Sequence, residues 1–429
     1  MTRSLAEWLE YQQRIHPREV ALGLDRVRDV WLRLGAPRGG RTVITVGGTN
    51  GKGSTVAFLD AIIAESGRAV GAFTSPHLLR YNERIRIAGV DVDDAALLEA
   101  FARIERARGP IPLTYFEFGT LAALSCFEQA GVEVAVLEVG LGGRLDAVNV
   151  VDADAAIVTT VDYDHMDYLG NELGAIALEK AGIFRAGRPA IVGAREPPCV
   201  LTGHARAIGA RLEQAGVDFD HRSDERGWTW THRDGTRHEL PLPRLAATAQ
   251  LQNASAAIAV LHAMRASIPV DAGAIAGGVA RATVPGRLQQ LRSAPDVRVD
   301  VGHNPQAARE LAAWLRRSPA RGRTIAVFAA LADKDLAGVV APLAAHVDEW
   351  HLAGLERESP RGADAATLEA RVGPALSPRI AASHADVGTA IDAALAGAQA
   401  EDRVLVFGSF FTVAVALRRL GPDPSTPTV

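Results

Sequence analysis

Cysteine is scarce in this chain, with two in 429 residues, Cys126 and Cys199. They stand in apolar or loop surroundings without Cys-x-x-Cys spacing, which argues against a disulfide framework or a zinc site. Strong charge of either sign is also missing. Forty-six Lys and Arg against 50 Asp and Glu leave a formal charge of −4, which speaks against nucleic acid as the main partner. No uncharged apolar run approaches the roughly 18 residues that span a bilayer. The N-terminus Met-Thr-Arg-Ser-Leu-Ala-Glu-Trp-Leu-Glu is acidic where a signal peptide needs an apolar core. A cytoplasmic protein away from membranes is expected. Repeats and low-complexity segments are absent as well.

What remains is ordinary globular usage, 48% apolar and 22% charged, in a chain long enough for two or three domains. Apolar runs at 42–46, 69–73, 133–139, 155–161, 189–192, 325–330, 349–353 and 403–408 read as strands. Helix-period stretches such as 93–108, 120–130 and 305–317 separate them. Continuous runs such as Val134-Ala-Val-Leu137 suit parallel strands covered on both faces. The expected class is therefore α/β, with doubly wound, mostly parallel sheets. The stretch 227–235, with alternating aromatics closing on Asp234-Gly235, reads as an antiparallel hairpin. Pro285, Gly286 and Pro295 mark a break, giving expected domains 1–290 and 296–429.

Residues 47–55, Gly-Gly-Thr-Asn-Gly-Lys-Gly-Ser-Thr, join a β-branched run to an apolar-periodic one. Glycines let backbone N–H groups turn toward an anion. The positive end of the following helix and the Lys52 ammonium then favour a polyphosphate, and Ser54 or Thr55 can reach an accompanying Mg²⁺. The plain Walker spacing is not met, because Val46 replaces its first glycine and Gly53 separates Lys52 from Ser54. Glu138 ends a buried-looking strand, where a carboxylate is costly unless paired or bound to metal. The Gly140-Leu-Gly-Gly-Arg-Leu145 run fails the dinucleotide fingerprint, since Leu145 stands at its third glycine, which disfavours an oxidoreductase. His165 lies among Asp162, Asp164 and Asp167 after another strand, and Ser75 and His77 lie at the tip of a third. Lys180 is compatible with either a helix-end partner of Glu179 or a lysine whose apolar neighbours lower its pKa. A hydroxyl, a carboxylate and an imidazole at neighbouring strand ends suit Mg²⁺ beside a γ-phosphate.

In this order the motifs are similar to the folylpolyglutamate synthase/dihydrofolate synthase family within the Mur-type amide ligases. They are Gly48–Ser54, Thr74–Leu78, Asn82–Ile85, Phe116-Glu-Phe118, Glu138–Asp146, Asp164-His165, Leu169-Gly170, Glu179–Ile183, Pro285-Gly-Arg287 and His303-Asn-Pro305. The resemblance runs nearly end to end and implies a Mur-ligase-like ATPase domain followed by a smaller Rossmann-like α/β domain. It implies that Asn50, Gly51, Lys52, Gly53, Ser54, Thr55, Asn253, Arg287 and Asp300 bind ATP. Ser54, Ser75, Glu138, His165 and Lys180, the last as a carbamate, become Mg²⁺ ligands. Lys52, His165, Lys180 and His303 are expected to be catalytic, and His303 and Asn304 to form a second-domain cleft loop. Thr114, Phe116, Asp146 and Ala147 become the pterin pocket, Phe116 stacking and Asp146 accepting N–H groups. Two Mg²⁺ ions and a monovalent cation such as K⁺ go with the nucleotide. ATP, L-glutamate, 7,8-dihydropteroate, tetrahydrofolate and its polyglutamates are the implied partners of a monomer.

The sequence departs from the family at Ala249 before Gln250, at Gly302 before His303 and at Val284 before Pro285, without losing a catalytic group. The implied reaction phosphorylates a pterin carboxylate, and the glutamate amine then displaces phosphate. Domain closure would exclude water from the acyl phosphate. A Mur-type cell-wall ligase is disfavoured because 46 residues before Gly47 are too few for a UDP-sugar-binding domain. A regulatory P-loop NTPase would not need Glu138, His165 and Lys180 together.

Overall fold

The computed structural model describes residues 3–18, 20–164, 166–224, 227–244, 247 and 249–421, with Met166 and Asp167 described by backbone alone. The chain divides into two compact units at Thr283–Val284, and the short segment Pro76–Tyr81 groups with the second.

The first unit is built on eight strands: β1 (Thr42–Gly47), β2 (Val70–Phe73), β3 (Ile85–Ile87), β4 (Val90–Asp91), β5 (Val134–Glu138), β6 (Ala155–Val158), β7 (Pro189–Val192) and β8 (Arg211–Gln214). Their order is β4-β3-β2-β5-β1-β6-β7-β8. From β2 to β8 the neighbours are parallel, while β3 and β4 add an antiparallel edge. The runs of β1, β5, β6 and β7 are buried at nearly every position, as a sheet covered on both faces requires. The register pairs Val46 with Glu138, Phe73 with Leu137 and Gly47 with Val158, so several strand ends finish side by side. After β1 the chain crosses to one side of the sheet and later returns to the other. The carboxyl end of β1 is therefore the switch point where open α/β sheets bind ligands.

Helices fix that edge. Helix Lys52–Glu65 leaves β1 through the glycine loop, and Gly278 of helix Ala272–Arg281 packs directly on it. A Cβ at Gly278 would stand 2.5 Å from Ile62 Cα, so the two backbones meet without a spacer. The helix expected at 120–130 begins earlier, at Tyr115, because Thr114 and Glu117 form a capping box. The aromatic stretch expected as a hairpin supplies β10 (Trp228–His232), which turns through Asp234-Gly235 into β11 (Arg237–Leu240). A strand not expected, β9 (Phe219–Ser223), pairs on its other side. Trp230 is fully buried there and donates from Nε1 to the carbonyl of Ser255 at 3.2 Å, tying this small sheet to helix Ala249–Ala263.

The second unit has six strands: β12 (Gln289–Ser293), β13 (Asp296–Asp300), β14 (Thr324–Phe328), β15 (Glu349–Ala353), β16 (Ile380–His384) and β17 (Arg403–Phe407). The order is β12-β13-β17-β14-β15-β16, parallel except for β12. Phe328, Trp350 and Phe407 meet at ring separations of 5.1–6.4 Å in one apolar layer, and a second layer covers the opposite face. Because β12 pairs with β13, the stretch 289–293 is part of this sheet. This differs from the boundary at 296, which treated punctuation by proline as a linker.

Candidate active site

The loop after β1 is held from one side by the end of β6. Thr159 Oγ1 donates to the Asn50 carbonyl at 2.6 Å, and the Asn50 N–H donates to Thr160 Oγ1 at 3.0 Å. Thr49 exchanges hydrogen bonds with the backbone of Asp162, both at 3.0 Å. A Cβ at Gly48, where φ is +140°, would fall 1.9 Å from Thr159 Oγ1, so a side chain there would push the loop off its clamp. Sequence reasoning missed Thr159 and Thr160. The available signal was a hydroxyl pair at the carboxyl end of a buried strand.

Gly51, at φ +86°, opens helix Lys52–Glu65 without a side-chain cap. The first turn thus keeps N–H groups without helical acceptors, directed where an anion is favoured. Lys52 Nζ donates to the Gly48 and Thr49 carbonyls, both at 3.1 Å. Ser54 and Thr55 are buried in the same turn, and the Thr55 hydroxyl has no hydrogen-bond partner. Asn253, distant in sequence, packs on Gly51, so closely that a Cβ there would lie 2.3 Å from its Oδ1. Asn50, Gly51, Lys52, Gly53, Ser54, Thr55 and Asn253 therefore assemble in one place.

Glu138 lies beside this turn, 4% exposed, with Oε2 accepting the Ser75 N–H at 3.1 Å. A Cβ built on Gly53 would be 3.5 Å from Glu138 Oε2, so only the missing side chain separates the loop from the carboxylate. Ser54, Ser75 and Glu138 offer hydroxyl and carboxylate oxygens, the donor set of a hard divalent cation such as Mg²⁺. Placing such a carboxylate near an uncapped helix start fits a bound cation–phosphate pair. His165, the expected imidazole ligand, lies outside the described residues.

Lys180, in the last turn of helix Leu173–Ala181, is 4% exposed. It lines a small cleft whose walls include Gly48, Lys52, Gly140, Asp164 and Leu169. Burial lowers its pKa to about 7, the Lys52 charge adding to the effect and Asp164 opposing it. Of the two roles open to Lys180 in the sequence, the surface partner of Glu179 is excluded, because Glu179 instead pairs with Arg144 at 2.7 Å.

On the other side of residues 140–141, Phe116 packs on Gly140, where a Cβ would come within 2.7 Å of its ring. Asp146 accepts N–H bonds from Leu141 at 2.8 Å and Val148 at 3.1 Å. Burial lifts its carboxyl to about 7 despite those bonds. Ala147 is buried beside it. Phe116 and Asp146 thus converge on one turn, each oxygen of Asp146 keeping acceptor capacity. The Thr114 hydroxyl already accepts the Glu117 N–H at 3.2 Å as a helix cap.

In the second unit, Asp300 accepts N–H bonds from Leu288 at 2.9 Å and Gly302 at 2.7 Å, clamping the turn that carries Arg287. Burial raises its pKa, and Arg287 is the main opposing influence. Arg287 lies 6.0 Å above the Phe410 ring. The ring of His303 sits 6.2 Å from Phe410, and its Nδ1 is 3.0 Å from the Val301 carbonyl. Asn304 caps helix Pro305–Arg317 by accepting the Ala307 N–H at 2.9 Å, a structural duty its expected cleft role did not include.

Comparison with known proteins agrees with this geometry. Residues 46–261 match the Mur ligase middle domain, and residues 286–410 match the Mur ligase, glutamate ligase domain. The chain is 46% identical over 410 residues to the dihydrofolate synthase/folylpolyglutamate synthase of Escherichia coli K12, covering 96% of this chain and 94% of that one. The solved E. coli FolC in complex with DHPP and ADP superposes with a TM-score of 0.91 at 45% identity, covering 97% of both chains. A solved bifunctional folylpolyglutamate synthase/dihydrofolate synthase with Mn, AMPPNP and L-glutamate bound gives 0.90 at 42% identity, covering 98% of this chain and 99% of that one. A glycine-rich loop, an acidic oxygen site and a buried lysine on one switch point thus go with similarity over nearly the whole chain, and the chain belongs to the dihydrofolate synthase/folylpolyglutamate synthase family of Mur-type ligases.

Proposed function

We infer that this chain is an ATP-dependent carboxylate–amine ligase that adds L-glutamate to dihydropteroate and to the glutamyl tail of reduced folates. The observation that carries the reading is Glu138, held by the Ser75 N–H against Gly53 of an uncapped, lysine-bearing helix start. An oxidoreductase or a simple anion-binding turn has no use for that carboxylate.

The residues divide the work. Backbone N–H groups of residues 51–54 would cradle the ATP phosphates, with Lys52 exchanging its carbonyl partners for phosphate oxygens. The pterin ring would lie against Phe116, with Asp146 accepting its N–H donors, and its carboxylate would attack the γ-phosphate. The products are ADP and an acyl phosphate. The neutral amine of L-glutamate then attacks the acyl carbon, forming the amide and releasing phosphate. A divalent ion held by Ser54, Ser75 and Glu138, with His165 and Lys180 as further expected ligands, would offset charge on the transferring phosphoryl group. Holding acid, nucleotide and amine in line is the main source of acceleration.

The finer form of the proposal has two Mg²⁺ ions, a monovalent cation such as K⁺, a carbamate on Lys180 and a monomeric enzyme in the cytoplasm. The lowered pKa of Lys180 supports the carbamate, because only a neutral amine adds to CO₂. Arg287, Asp300, His303 and Asn304 keep the nucleotide and second-domain roles that the family resemblance assigns, supported by the clamp of Asp300 on the Arg287 turn. The test is phosphate release with ATP and L-glutamate, with dihydropteroate and tetrahydrofolate as alternative acceptors. Release with both is the expected result, and release with neither refutes the reading.

A further inference from the structure

Three of the chain's histidines gather around Trp230, far along the sequence from the glycine loop. His232 and Asp234 lie at the end of β10 and in its turn, and His262 is in the last turn of helix Ala249–Ala263. The ring of Trp230 lies 6.0 Å from His232, 5.6 Å from His238 and 5.6 Å from His262, while His221 sits across Trp228. Within this cluster His232 Nδ1 is 2.9 Å from Asp234 Oδ1, and His262 Nε2 is 2.9 Å from Asp234 Oδ2. One atom from each of the three residues falls within 4.8 Å of the others. The His232 and His262 side chains are 7% and 9% exposed, whereas Asp234 is 38% exposed and opens the group to solvent.

We propose that His232, Asp234 and His262 form a binding site for a divalent transition metal of the zinc class. Two imidazole nitrogens and a carboxylate oxygen are the donors such ions select, and water can complete the shell on the open side of Asp234. The cysteine count, which argued against zinc, bears only on thiolate sites.

Two observations support the assignment. First, His232 Nδ1 faces conflicting demands. The Asp234 N–H donates to it at 3.2 Å, which requires a lone pair, while an acceptor oxygen of the same residue stands 2.9 Å away. A cation on the Nδ1 lone pair would bring the oxygen in as a second ligand, replacing the N–H contact. Second, the opposite nitrogen, Nε2, is buried without a hydrogen-bond partner 3.7 Å from Glu213 Oε2, itself buried and unpartnered. A carboxylate behind the outer nitrogen of a ligating histidine is the usual orienting arrangement at metal sites.

The groups facing the site from neighbouring elements do not block it. Arg233 is engaged by Asp218 at 2.6 Å, and Arg265 donates to the His262 carbonyl at 2.9 Å. Zinc bonds of about 2.0–2.2 Å imply ligand-to-ligand edges of roughly 3.3 Å, so binding would open the two contacts by a few tenths of an ångström. The bound ion would cross-link the turn after β10 to the helix that also carries Asn253.

The experiment is zinc titration calorimetry on the full chain stripped of metal by chelator, with Co²⁺ absorption reporting nitrogen and oxygen coordination. One equivalent is expected in the wild type and in Glu138→Gln, which separates it from the nucleotide-linked cation. Asp234→Asn keeps the turn's carbonyl acceptor and should weaken zinc by at least about tenfold, as should His262→Gln. Circular dichroism melting confirms that each variant is folded. If His262→Gln does not fold, Asp234→Asn in the partly exposed turn decides. Absence of an equivalent that survives Glu138→Gln, or wild-type affinity in Asp234→Asn, overturns the proposal.

Discussion

Replacing Gly51 with alanine should damage ATP use through two separable effects. The position is at φ +86°, a conformation that costs an L-residue about 1–2 kcal/mol. Its new methyl carbon would also stand 2.3 Å from Asn253 Oδ1, so Asn253 must move and lose its buried bond to Gln250 Oε1, now 3.0 Å. That bond is worth about 1 kcal/mol net. Together the loop loses about 2–3 kcal/mol, and at 1.4 kcal/mol per decade the KM for ATP should rise roughly 30- to 140-fold. The assay follows ADP formation at saturating dihydropteroate and glutamate, in a double-mutant cycle with Asn253→Ala. Removing the Asn253 side chain abolishes the collision but not the strain, so the two substitutions should couple by about 1 kcal/mol. Additivity within about 0.3 kcal/mol would mean that Gly51 and Asn253 do not share this space, and the loop geometry would be refuted.

Gly53→Ala should separate folding from activity. Its methyl meets Glu138 Oε2 at an ordinary 3.5 Å and improves helix propensity by up to about 1 kcal/mol, so the melting temperature should hold or rise while kcat falls. Lys180→Ala should lose activity, and a short-chain carboxylic acid should restore part of it. Wild-type enzyme depleted of CO₂ should lose activity that bicarbonate returns. Asp146→Asn probes linkage. A carboxyl raised from 3.8 to about 7 favours the folded state most at low pH, and that contribution is lost as pH climbs through 7. The melting temperature of the wild type relative to Asp146→Asn should therefore fall from pH 4 to about 7 and level off above it.

The sequence disclosed what rests on local pattern. Continuous β-branched runs marked β1, β5, β6 and β7 because strands buried on both faces must be apolar throughout. Glycine spacing marked the tight turn from β1 into its helix because the conformational demand falls on that residue type. Contacts across the sheet were less legible. The clamp of Thr159 and Thr160 on Asn50 depends on β1 and β6 being neighbours, which no single segment encodes. Polar residues at β12 and the edge pair β3 and β4 hid strands that are only partly buried. Thr114-Tyr-Phe-Glu117 and Asn304-Pro305 carried readable capping signatures, and both were read as ligand contacts, because one side chain can serve either end.

Lys52 gives the loop a further property. Its ammonium is held by the Gly48 and Thr49 carbonyls, so a phosphate that took up Lys52 would have to displace two neutral oxygens. Binding is then an exchange of one set of oxygens for another, which blunts the gain from phosphate. The same exchange run backward would return the lysine to those carbonyls. A loop whose own carbonyls compete for its lysine should hold a phosphate reversibly, not trap it.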